Sequence, residues 1–73
     1  MSAVPQMLPA LMRAQKVSGK AMKNGYSFGY ESEESDEELI NAIFRAAVLL
    51  KKRGVNAEEK LTEKINGFIE NYN

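Results

Sequence analysis

Apolar residues near the end of the chain recur with a helical period. Leu61, Ile65, Phe68, Ile69 and Tyr72 fall at i, i+4, i+7, i+8 and i+11 and define one narrow face. The run before it, "LINAIFRAAVLLKKRG", is apolar over a much wider arc. At helical spacing Leu39, Ile40, Ile43, Phe44, Ala46, Ala47 and Leu50 span an arc of about 160°. A surface helix needs a narrower stripe, so this spacing predicts a helix packed on two sides, at the centre of a bundle or at a subunit interface. The first run, "LMRAQKVSGKAMK", is mixed. Leu8, Leu11, Met12, Gln15 and Met22 trace one side, widened by Ala14, Val17 and Ala21. Arg13, Lys16, Lys20 and Lys23 fall within about 80° of one another at helical spacing and predict a single exposed basic ridge.

The punctuation between these runs sets the expected ends. Pro5 and Pro9 suit a first helical turn, where a missing N–H costs nothing. Asn24-Gly25 closes the first helix, because glycine enters the left-handed region cheaply. Ser35 and Glu38 fit a capping box at the start of the second, with Asp36 and Glu37 at the positive end of its dipole. Lys51, Lys52 and Arg53 complement its other end and Gly54 stops it. Asn56 caps the third helix, with Glu59 at the reciprocal position. The reading is an all-α fold: one small helical domain over residues 1–73, with helices at about 6–24, 35–53 and 57–71. The short turn at Gly54 makes the second and third helices antiparallel neighbours. Residues 25–34 form a connection in which Tyr26, Phe28 and Tyr30 alternate. These rings are expected to cover the open end of the helical core; the sharper alternative is that they stack on a nucleotide base.

Composition narrows the picture. A chain of 73 residues buries a small core, with net stability of about 3–5 kcal/mol. It has no cysteine and no histidine, so neither disulfides nor a His/Cys zinc site can supplement that core. Self-association is the expected supplement. No stretch approaches the roughly 20 apolar residues of a membrane span, and the first twelve residues carry prolines and no basic cluster, unlike a signal peptide. A cytoplasmic protein with no membrane partner is expected. Net charge is zero but segregated: residues 1–30 hold four basic and no acidic side chains, and residues 31–38 hold six acidic and no basic ones. Such halves can satisfy each other within a chain or across a dimer, so the basic ridge alone does not indicate nucleic acid.

The acidic run is the main candidate for chemistry. Mg²⁺ takes oxygen ligands from one or two carboxylates, and carboxylates three or four apart share a helix face. Glu33, Glu34 and Glu37 spell a literal E-E-x-x-E. A capping box with an acidic first turn accounts for Ser35, Asp36, Glu37 and Glu38 equally well.

Two blocks of the chain resemble a known family. "LPALMRAQKVSGKAMKNGYSF" carries Leu8 to Leu11, Arg13, Ala14, Lys16, Lys20, Ala21, Gly25, Tyr26 and Phe28. This resembles the opening of the MazG-type nucleoside triphosphate pyrophosphohydrolases, with their LPAL, R-A-x-K and K-A pattern and a glycine followed by aromatics. "EELINAIFRAAVLLKKRGVNAEEKL" is similar to the closing helices of that domain. The resemblance implies an all-α, dimeric or tetrameric, Mg²⁺-dependent fold that cleaves nucleoside triphosphates to monophosphate and pyrophosphate. It also implies metal ligands from E-E-x-x-E on one helix and E-x-x-D on the next. This chain departs from that set. About one helical hairpin is missing between Tyr30 and Ser35; Glu38 matches the second motif's glutamate, but Asn41 stands where the aspartate belongs. Near the end, Ile65, Gly67, Phe68, Glu70 and Asn71 stand where the family has N-x-K-F and arginines.

The expectation is therefore a three-helix MazG-like bundle completed by homo-oligomerisation. It is a truncated and non-catalytic relative, without cofactor, acting through self-association or pairing with a relative. The enzymatic alternative is a pyrophosphohydrolase completed across the oligomer. Glu34, Glu37 and Glu38 would then hold Mg²⁺, and Arg13, Lys16, Lys20 and Phe28 would hold the nucleotide. A third alternative is a module that binds nucleotide or single-stranded nucleic acid by charge and stacking.

Overall fold

A computed structural model describes residues 8–72. Among them the chain is all-helical, with three helices and no strand: α1 (Ala10–Lys23), α2 (Asp36–Lys52) and α3 (Ala57–Tyr72). Of the expected start of α1, residues 6 and 7 lie outside the described residues, and Leu8 and Pro9 precede the helix. Pro9 takes the N-cap position and offers no side-chain oxygen. The first N–H of the helix, from Ala10, donates instead to the carboxylate of Glu58 in the first turn of α3. One orphaned donor of α1 is thus satisfied by the neighbouring helix rather than by a local cap.

Both glycine stops operate. Gly25 has φ +93° and Gly54 φ +72°, values that residues with a Cβ adopt only with strain. At the first, Tyr26 N–H reaches the Ala21 carbonyl at 3.0 Å and Gly25 N–H that of Met22 at 3.0 Å. At the second, Val55 N–H reaches Leu50 at 2.9 Å and Gly54 N–H reaches Lys51 at 3.0 Å. Each is a Schellman arrangement that pairs two of the last carbonyls. The start of α2 holds its capping box: Glu38 N–H donates to Ser35 Oγ at 3.2 Å, and Ser35 N–H donates to Glu38 Oε1 at 3.3 Å. Asn56 Oδ1 accepts from Glu59 N–H at 2.9 Å and caps α3.

The core lies between α1 and α3. Ala10, Val17 and Ile65 are buried together, with Ala14, Leu61, Phe68 and Ile69 packed around them. The two helices run in the same direction. Ala10 meets Glu58 at one end, Arg13 meets Asn66 midway, and Tyr26 meets Phe68 and Tyr72 at the other end. The α3 face is the one its periodicity predicted. The α1 face is so only in part. Its buried residues are Ala10, Arg13, Val17 and Ala21, whereas Leu11, Met12 and Met22 are exposed. The small side chains let α3 approach closely, and the larger ones are left on the flank.

The expectation of a two-sided α2 also fails within one chain. No residue of α2 is buried. Asp36 to Val48 are all exposed, and only Leu49 and Leu50, next to the turn into α3, are half-buried. Among the described residues the helix packs against α3 and stays clear of α1. The Cα radius of gyration, 13.3 Å, exceeds the roughly 11 Å of a compact chain of this length.

Candidate functional site

The acidic run sits between the connection and α2. Ser32 Oγ donates to Glu34 Oε1 at 2.8 Å and accepts from Glu34 N–H at 3.0 Å, a local turn. Glu38 is engaged with Ser35 through backbone and side chain. Among the described residues no three acidic side chains converge so as to hold a metal ion. Glu34, Glu37 and Glu38 are all exposed. Their geometry is that of a helix start in water.

The basic ridge divides. Arg13 is 3% exposed and lies against α3, where its Nη1 donates to Asn66 Oδ1 at 2.8 Å. Its Nε is buried with no partner. The only ion pair among the described residues is the exposed Lys60–Glu63, at 3.3 Å. Lys16 and Lys23 are exposed and Lys20 is half-buried. Arg13 therefore leaves the ridge and cannot join Lys16 and Lys20 in clamping a phosphate. The reason is angular: it sits at the edge of the lysine arc that borders Val17 and Ala10, the strip that α3 covers.

The aromatics form a ladder over the end of the α1–α3 pair. Phe28 stacks on Phe68 with centroids 5.2 Å apart and planes 27° apart, and Phe68 on Tyr72 at 5.7 Å and 29°. Tyr26 meets Phe28, Phe68 and Tyr72 edge-on at 4.8, 5.3 and 5.7 Å. Such pairs contribute about 0.5–1.5 kcal/mol each beyond the area they bury. The rings thus cover the open end of the helix pair, as the blander sequence reading expected. Tyr30, stacked on Phe28 at 6.1 Å, ends the ladder and is 86% exposed. Beside the ladder runs an open, mainly apolar groove of about 780 Å³, with Val17 and Ile65 at its base and Lys64, Gln15 and Asn71 on its margins.

The largest unsatisfied feature is α2. Ile40 is 62% and Phe44 71% exposed, and Leu39, Ile43 and Val48 share the same broad face. Sequence reasoning missed Asn66 and Glu58, the two α3 groups that engage α1. The one available signal was Pro9: a helix start without a capping side chain needs an acceptor from elsewhere.

Fold and surface together define, among the described residues, a small all-helical protein with a packed α1–α3 pair and an α2 that touches α3 but buries no residue. Compared with protein-family models, curated proteins and solved structures, the chain matches none. Among the described residues no helix is long and apolar enough to cross a membrane.

Proposed function

We propose that the chain is a shortened, non-catalytic relative of the MazG-type enzymes that acts by associating with copies of itself. One observation carries the reading: α2 has no buried residue, although its sequence is the most apolar of the three. Water contact along Leu39, Ile40, Ile43 and Phe44 forgoes roughly half of the about 1.5–3 kcal/mol that full burial of each would supply, in a chain whose core is small. A partner recovers it. The non-catalytic part draws support from Glu38, committed to Ser35, and from Arg13, withdrawn under α3.

Sedimentation velocity across a micromolar concentration series tests association. A dimer or tetramer is expected, and a folded monomer throughout overturns the reading. Incubation with Mg²⁺ and each nucleoside triphosphate tests the other half. No pyrophosphate release is expected, and release that Glu38→Ala abolishes would establish the enzyme instead.

A second reading, nucleotide binding, draws on the groove beside Phe28 and Tyr30 with Lys64 at its margin. Calorimetric titration with a nucleoside monophosphate checks it. Binding that survives Tyr30→Ala and Lys64→Ala speaks against that site.

A further inference from the structure

We propose that α2 pairs with α2 of a second copy, antiparallel, about a two-fold axis at Phe44. The proposal rests on self-association and adds its geometry. The helix spans Asp36–Lys52, so Phe44 is its midpoint. Glu37 lies seven residues before Phe44 and Lys51 seven after; Ile40 lies four before and Val48 four after. At helical spacing Glu37, Ile40, Phe44, Ala47, Val48 and Lys51 share an arc of about 100°. The most exposed large apolar side chains of the helix, Ile40 and Phe44, lie in that arc.

This face is complementary to itself only when the second copy runs the other way. Antiparallel, Glu37 faces Lys51 of the second copy at both ends, Ile40 faces Val48, and Phe44 meets its own equivalent. The acidic first turn (Asp36, Glu37, Glu38) then lies beside the basic last turn (Lys51, Lys52). The two helix dipoles also oppose each other. A parallel pair would set acids on acids and bases on bases. The strip is about 25 Å long and about 10 Å wide, less than the roughly 800 Å² per partner of a standard interface. A contact of that size supports a weak, reversible dimer.

The chain has no cysteine, so single introduced thiols report the geometry cleanly. Disulfides need Cα atoms within about 7 Å. Phe44→Cys is expected to cross-link to itself under mild oxidation. Ile40→Cys mixed with Val48→Cys is expected to give the mixed dimer. Ile40→Cys alone is expected to stay uncross-linked, its two copies being offset by about 12 Å along the axis. Self-linking of Ile40→Cys, or linking of Phe44→Cys to Met22→Cys in the α1–α3 groove, overturns the pairing and leaves self-association standing. A monomeric wild type removes both. As a second check, Glu37→Lys and Lys51→Glu should each weaken dimerisation by about tenfold, and an equimolar mixture of the two should restore it. Singles that dimerise like wild type overturn the proposal. Each reversal also opposes the dipole of α2, so some helix content should be lost in either single variant, and recovery of association in the mixture is what reports the pairing.

Discussion

At the scale of single residues, Arg13 is the most informative. A guanidinium with one hydrogen bond and a buried, unpartnered Nε is costly to keep. Asn66→Ala removes its one bond and should destabilise the fold by about 1–3 kcal/mol. Arg13→Met, of similar length and without charge, should match or exceed the parent, because well-packed apolar replacements of buried charge often do. Urea unfolding at fixed protein concentration measures both, and an Arg13→Met loss larger than that of Asn66→Ala would reverse this account. The sequence placed Arg13 correctly on its helix, at one end of an 80° arc. It could not say which edge of that arc another helix would cover. The glycine stops needed no such information: Gly54→Ala should cost about 1 kcal/mol, because φ +72° is paid for locally.

At the scale of elements, the three helices differ in what holds them. α1 and α3 are held by each other through Val17 and Ile65 and by the aromatic ladder at one end. α2 is held by its own caps and by its junction with α3. A helix of 17 residues is marginal without tertiary packing. Its amides should therefore exchange fastest in dilute solution and gain protection as concentration rises, while those of α1 and α3 change less. Hydrogen exchange at two concentrations measures this. Ser35→Ala removes the capping hydroxyl and should cost about 1 kcal/mol, felt first in α2. The extent and caps of α2 were legible in the sequence because they depend on residues within one turn of each end. The burial of its face was not, since the same broad stripe suits a bundle centre and a subunit contact alike. The α1 face, right for Ala14, Val17 and Ala21, was misread in its larger residues for a related reason. The larger residues Leu11, Met12 and Met22 looked like the packing side, yet Ala10 and Ala21 allow the closer approach.

At the scale of the molecule, the single chain has one small core and a wide exposed apolar helix. Ile65→Ala cuts the core where Val17 and Ala10 meet it and should cost about 2–4 kcal/mol. Against a reserve of about 3–5 kcal/mol, that leaves about 1 kcal/mol, with roughly one molecule in six unfolded. Thermal unfolding checks it. If copies associate, the midpoint for the parent rises with protein concentration by mass action, and a midpoint independent of concentration speaks against association.

Residue pattern alone was enough for what is settled within a few residues: three helices, their glycine stops, the Ser35–Glu38 box, the Asn56 cap and the narrow face of α3. Those features follow from backbone conformations and hydrogen bonds between near neighbours. The tertiary structure decided that α1 turns its alanines and Arg13 inward, that Glu58 closes the start of α1, and that α2 is left without cover. These follow from how closely two distant helices can approach, which no local spacing encodes.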